Sequence, residues 1–299
     1  MVPTHNDGAN IGPLLRRLLD EPCVGEVVVV ASGCDDDTVP VATRVAATAP
    51  GRVAVYVEVD RSGKTAAVNF GVGRCTQPWI VIVSGDVLPE PGAIKHLLVA
   101  LYEPGVGMTG GRPVPVNGDS SIVGTAVHLL WTLHHRLALG QPKLGEMVAL
   151  RADAAAPLPP TSVDEACFQA RIEAAGWTCR YVPTATVANR GPSTLRDFIK
   201  QRRQIHTGHL WLRRRERYTV PSLRTDRLLR EYWAELRSEE RVRRVRYGLR
   251  TVVAVSLELW SRVLARLDYV RGRERHVWDM VESAKDPALG PHGVGARHR

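Results

Sequence analysis

The sequence predicts an α/β fold of the doubly wound kind: a mostly parallel sheet with helices on both faces, followed by a C-terminal helical extension. Three observations predict it. Strand-like and helix-like segments alternate with short connections through roughly the first 110 residues. The run "EVVVVAS" is apolar and β-branched throughout, as a strand covered on both faces must be. Four polar clusters, "THND", "SGCDDDT", "DRSGK" and "SGD", each follow a strand-like run. They therefore fall at strand carboxyl ends, where such sheets bind ligands.

The elements follow in order. "MVPT" ends a strand, and "NIGPLLRRLLD" is helical, with Asn10 as N-cap and Pro13 in the first turn. "DTVPVATRVAAT" is a helix, "RVAVYVEV" a strand, and "GKTAAVNFGVGR" a helix opened by glycine. "WIVIVS" is the fourth strand and "EPGAIKHLLVALYE" the fourth helix. Beyond these, "GMTGGRPVP" and "GEMVALRAD" read as strands flanking the helix "SSIVGTAVHLLWTLHHRLAL". "VDEACFQARIEAAGW" is an amphipathic helix ending at Gly176, and "CRYVPTATVA" is extended. A basic helix, "STLRDFIKQRRQIHTGHLWLRRR", is capped by Ser193 or Thr194. The expected organisation is a main domain over 1–212, divided into 1–110 and 111–212. A basic helical extension over 213–286 and a disordered tail over 287–299 follow.

Composition narrows the function classes. The five cysteines (Cys23, Cys34, Cys75, Cys167, Cys179) are odd in number and scattered, with no zinc spacing, which points to reduced thiols in a cytosolic setting. No signal peptide is visible, and no run reaches the ~18 apolar residues of a membrane span. The net charge of +9 is uneven: residues 201–299 hold 23 Lys+Arg against 12 Asp+Glu, and the remainder 17 against 19. A basic last third suggests an anionic partner, and an anionic membrane surface suits it better than nucleic acid, because no aromatic interleaving supports base stacking. Within it Leu249, Val252, Val253, Trp260, Val263, Leu264, Leu267 and Val270 share one helical face. That stripe could lie in a membrane interface, but packing on the main domain or on a second subunit, as a homodimer, is favoured.

Seven segments carry a resemblance: "VPTHNDGANIGPLL", "VVVASGCDDDT", "GKTAAVNFGV", "SGDVLPEPGAI", "GGRPVP", "VDEACFQARIEAAGW" and "QRRQI". Their order resembles that of family 2 glycosyltransferases of GT-A fold, over roughly residues 1–210. The resemblance implies a hexosyl- or N-acetylhexosaminyltransferase. It would move one sugar, with inversion, from a nucleoside-diphosphate sugar to a hydroxyl or a polyprenyl phosphate. A UDP-sugar is favoured and a GDP-sugar is the alternative.

The resemblance assigns roles residue by residue. Pro3, Thr4, Asn6 and Asp7 stand where the family surrounds the base and ribose. Ser32 stands where an aspartate usually reads uracil. Lys64, with Arg61, matches the family's Gly-Lys and faces phosphate. Asp86 is the last residue of the Asp-x-Asp motif and the implied ligand of Mn2+ or Mg2+; the first position is Ser84, which adds no charge. The acidic pair Asp164 and Glu165 supplies the base, with Glu165 favoured. Arg202 and Arg203 begin a "QRRRW"-like motif and are placed on the diphosphate; its Trp is missing, which argues against polysaccharide synthesis.

The chemistry agrees with these roles. A departing diphosphate calls for a divalent cation on hard oxygen ligands, and an attacking hydroxyl needs a base. Plain structural readings stand beside them: Asp86 as a turn cap, Lys64 as a solvated lysine, and the acidic pair as favourable charges at a helix N-terminus. Rival functions are a sugar nucleotidyltransferase and a non-catalytic module docking through its basic helices. The expected setting is cytoplasmic, peripheral at the inner face of the membrane.

Overall fold

The computed structural model describes residues 1–238, 241–278 and 281–285; the expected tail over 287–299 lies outside the described residues. Strands β1 (Val2–Thr4), β2 (Val27–Ser32) and β3 (Val53–Glu58) form a parallel sheet in that order. Strands β4 (Trp79–Val83), β5 (Val87–Pro89), β6 (Val106–Pro115), β7 (Met147–Arg151) and β8 (Thr178–Asn189) form a second, ordered β4-β7-β6-β8-β5. Main-chain bonds join the two: the Val83 N–H donates to the Met1 carbonyl at 3.1 Å, and the Gly85 N–H to the Pro3 carbonyl at 3.0 Å. β1 and β4 thus lie side by side and point the same way. Only β7 and β5 run against the rest. The three residues of β5 are too few to carry a readable periodicity.

Helices α1 (Gly8–Leu19), α2 (Thr38–Thr48) and α4 (Ala93–Tyr102) pack on one face, and α3 (Lys64–Val72) and α6 (Asp164–Ala174) on the other. The valine run of β2 explains itself here. Val27 and Val29 join Leu14, Leu15 and Leu97 in one core, while Val28 and Val30 join Val68 and Phe168 in the other. Strand side chains alternate between faces, so a strand covered on both must be apolar at every position.

Two caps differ in detail from the sequence reading. α1 starts at Gly8, because the Asp7 carbonyl accepts from the Asn10 and Ile11 N–H groups, each at 2.8 Å. Asn10 is therefore buried inside the first turn and is not the cap. Of the two candidates for α7 (Leu195–Arg215), Thr194 is the cap; its Oγ1 accepts from the Asp197 N–H at 3.2 Å.

The extension is packed on the main body. Helices α8 (Thr225–Ser238) and α9 (Arg241–Val270) lie against α5 (Ile122–Gly140) and α7 around Val127, Leu133, Phe198 and Ala254. α7 runs on to Arg215, so the expected boundary at 212/213 falls inside a helix. The face α9 turns inward is small and polar: Thr251, Ala254, Ser261, Ala265 and Asp268. The apolar stripe from Leu249 to Val270 points outward. After α9 the chain folds back over the domain. Gln204 Nε2 donates to the Arg275 carbonyl at 3.1 Å, Trp278 Nε1 to the Ser162 carbonyl at 3.1 Å, and Ser283 Oγ to Asp197 Oδ2 at 2.6 Å.

Candidate active site

A cleft of about 340 Å³ opens at the carboxyl ends of β1, β2 and β4. Of the residues the sequence singled out, Pro3, Thr4, Asp7, Ser32, Arg61, Lys64, Ser84, Asp86, Asp164, Glu165 and Arg202 line it. Asn6 and Arg203 do not.

Asp7 is the buried hub of the β1 end. Thr4 Oγ1 donates to its Oδ2 at 2.7 Å, its own N–H donates to Thr38 Oγ1 at 2.7 Å, and Lys285 Nζ donates to its Oδ1. Asn6 adopts a left-handed backbone (φ 54°) and turns away, exchanging hydrogen bonds with the side chain and N–H of Asp35. It fixes the β2–α2 loop, so the structure does not bring it to the cleft.

Gly85 lets β1 and β4 approach. A Cβ there would stand 2.5 Å from both Asp7 Oδ2 and Thr4 Oγ1, which no side chain tolerates. Asp86 follows it and remains 36% exposed, with its Oδ2 3.9 Å from Lys285 Nζ. Among the described residues no three His, Cys, Asp or Glu side chains converge on a metal position. The donor set available to a divalent cation is the Asp86 carboxylate. It fits a hard cation whose other ligands come from a diphosphate and water.

Lys64 opens α3 and reaches across to the first turn of α6. Its Nζ lies 2.6 Å from Glu165 Oε1 and 3.2 Å from Asp164 Oδ2. Burial works against the ammonium, but the two carboxylates outweigh it and hold the lysine above its ordinary value. The pair itself is split. Burial and then the Glu165 charge push Asp164 up to about 7, against the pull of Lys64. Burial also opposes the Glu165 charge, but there Lys64 wins and the carboxyl sits below its usual value.

The basic motif on α7 divides as well. Arg202 forks onto Glu258 of α9, Nε to Oε2 at 2.8 Å and one terminal nitrogen to Oε1 at 2.9 Å, and still borders the cleft. Arg203 is one position further round the helix and forks onto Asp268 instead. That rotation aims it at α9 and away from the cleft where the diphosphate is expected. His206 and His209 are buried and held neutral by burial, His206 at about 4; they are core histidines.

Three lining residues escaped the sequence reading. Glu146, just before β7, has a left-handed backbone (φ 63°), and burial followed by the Asp86 and Glu165 charges pushes its carboxyl up to about 8. Left-handed non-glycine backbone gathers at functional sites. The Lys143 ammonium makes no hydrogen bond or ion pair among the described residues, and burial, then Arg202, lower it to about 8. Lys285 arrives from the chain's far end. A lone Glu, Lys or Lys in unpatterned segments carries no sequence signal.

Residues 1–149 match the family model described as glycosyl transferase family 2. Curated relatives from two Mycobacterium tuberculosis strains, each named pre-mycofactocin glycosyltransferase, are 27% identical over 224 residues, covering 67% of this chain and 46% of the relative. The chain therefore spans about half their length. Among solved structures, a mannosyltransferase from Pyrobaculum calidifontis in complex with GDP-Man and Mn2+ superposes with a TM-score of 0.66 at 18% identity, covering 91% of this chain and 86% of that one. A glucosyl-3-phosphoglycerate synthase from M. tuberculosis, in complex with Mn2+, UDP-glucose and glycerol 3-phosphate, gives 0.50 at 18% identity, covering 70% and 78%. These likenesses bear out the GT-A fold.

Proposed function

With residues 1–149 belonging to glycosyl transferase family 2, we propose that the chain moves one sugar from a nucleoside-diphosphate sugar to an acceptor, with inversion at the anomeric carbon. The observation that carries the reading is that one cleft is shared by the β1–β4 ends, bearing Asp7, Ser84 and Asp86, and the acidic pair Asp164 and Glu165 on α6. Donor residues and acceptor residues face each other across it.

The nucleoside would rest against Pro3, Thr4 and Ser32, and the diphosphate beside Asp86. A divalent cation, Mn2+ or Mg2+, held by Asp86 would neutralise the leaving group's charge. Lys285 has three N–H donors; His5 O and Asp7 Oδ1 take two, and the third remains for a phosphate oxygen. In the transfer, the acceptor oxygen bonds to the anomeric carbon as that carbon's bond to the diphosphate oxygen breaks. The electron pair leaves on the nucleoside diphosphate. A hydroxyl acceptor gives its proton to the acidic pair. Asp164, whose carboxyl burial holds above its ordinary value and which lies 3.2 Å from Lys64, suits that task better than Glu165, which Lys64 grips at 2.6 Å.

The acceptor end favours an anionic acceptor. Lys143, Arg202 and Arg262 line it against the carboxylates Glu258 and Glu146, and Val127, Leu130 and Trp131 continue it as an apolar wall. A half-buried cluster of cations whose positive charge exceeds that of its carboxylates calls for an anion, and the apolar wall suits a lipid phosphate. Such an acceptor is already charged and needs no base; the acidic pair would then orient the sugar.

The test is to incubate the chain with UDP- and GDP-sugars and Mn2+ and follow nucleoside-diphosphate release. Release that disappears in Asp86→Ala supports the reading. Pyrophosphate release would identify a nucleotidyltransferase instead, and no release with any donor would leave a binding module. Undiminished transfer by Asp164→Asn/Glu165→Gln would select the phosphate acceptor over the hydroxyl.

A further inference from the structure

Helix α9 buries the opposite face from the one an amphipathic surface helix usually buries. Its packed side is small and polar, and its outer side is not. Leu249 is 73% exposed, Val252 58%, Trp260 55% and Val270 77%, with Val263 and Leu267 exposed between them. These positions recur at helical spacing, so they form one stripe about 30 Å long at 1.5 Å per residue. Single exposed apolar residues need no explanation, but a continuous stripe does.

The charges on the helix identify what covers it. α9 contains seven arginines and two carboxylates, Glu258 and Asp268. Both carboxylates turn inward, Glu258 into an ion pair with Arg202 and a hydrogen bond with the neutral His206, and Asp268 into an ion pair with Arg203. Among the described residues the outward face of α9 is therefore apolar around the Ser256 hydroxyl and carries no carboxylate, with Arg266, Arg271 and Arg273 exposed at its end. α8 adds to it: Leu229 and Trp233 are exposed beside Arg230 and Arg237, with one exposed carboxylate, Asp226, in the first turn. A second copy of this face would bring cation against cation, whereas an anionic lipid surface complements both features.

We infer that the outer faces of α8 and α9 dock the protein on an anionic lipid bilayer, with α9 lying in the headgroup plane. Among the described residues no helix is long and apolar enough to cross a membrane, so the contact is interfacial. It also has a consequence for the cleft. Glu258 and Arg262 on the opposite side of α9 line the cleft, so the bilayer would lie about one helix diameter, 10–12 Å, from its wall. The inference stands on exposure and charge and does not depend on the transfer reaction.

The test is co-sedimentation of the full chain with phosphatidylcholine vesicles, with and without phosphatidylglycerol. Binding should appear only with phosphatidylglycerol and weaken as salt is raised. The double variant Trp260→Glu/Leu267→Glu, at exposed positions outside the cleft, should bind roughly tenfold less or weaker while keeping the wild-type melting temperature. Substituting Arg266, Arg271 and Arg273 by Ser should remove the preference for anionic vesicles. Two results would overturn the inference. One is equal partitioning of wild type and the Trp260/Leu267 variant. The other is a concentration-dependent dimer in light scattering that the same variant abolishes, which would make the stripe a subunit interface.

Discussion

Lys285 stands between Asp7 and Asp86, donating a hydrogen bond to the first and lying 3.9 Å from Oδ2 of the second. The two carboxylates come from adjacent strand ends, and the cation from a segment 278 residues further along the chain than Asp7. With Ser84 uncharged, this ammonium sets the charge of the donor end.

Replacing Lys285 by Met leaves Asp7 buried without its counter-ion. Unfolding free energy should fall by about 1–3 kcal/mol, as read from urea denaturation. Binding of UDP or GDP without metal should weaken in the same variant. Unchanged nucleotide affinity would reduce the lysine to a strap that holds the C-terminal segment.

Ser84→Asp restores the second carboxylate of the metal motif. It should tighten Mn2+ binding in the presence of nucleoside diphosphate, and Asp86→Asn should abolish it; isothermal titration reads both.

Gly85→Ala places a methyl group against Asp7 and Thr4 at 2.5 Å, where β1 and β4 touch. Overpacking of this kind costs about 1–3 kcal/mol. The melting temperature should drop, and donor turnover should fall with it.

Glu146 and Asp164 have folded-state values of about 8 and about 7, raised by burial above those of an unfolded chain. Between about pH 4 and pH 8 the folded state therefore holds protons that the unfolded state has released, so their contribution to stability falls as pH rises. Glu146→Gln removes one of these groups. Its melting temperature relative to wild type should rise with pH across that window; a constant difference would contradict the assignment.

Arg202 and Arg203 should separate. Both fork onto α9 carboxylates, so Met at either position should lower stability. Only Arg202 borders the cleft, so only its variant should raise KM for an anionic acceptor.

The elements that place the site were legible because they obey local rules. The valine run of β2, the glycine opening α3 and the cap of α7 each announce themselves within a few residues. The polar clusters after β1, β2, β3 and β4 were legible for the same reason, and all four contribute residues to one cleft. Asn6 and Arg203 were misplaced because a motif fixes position along the chain, whereas a left-handed backbone or one step of helix rotation decides which way a side chain points. Glu146, Lys143 and Lys285 had no pattern to betray them.

The sequence by itself determined that this is an alternating α/β chain whose motifs resemble those of family 2 glycosyltransferases, with one carboxylate at the strand end where the family motif has two. Periodicity and motif order are written in neighbouring residues and need nothing further. Tertiary structure decided that Lys64 grips Asp164 and Glu165, that Lys285 returns to Asp7, and that α9 turns its apolar stripe outward. Helical spacing states which residues share a face, but not which face the rest of the fold covers. On α9 the ion pairs from Arg202 and Arg203 settled that question, by drawing Glu258 and Asp268 inward.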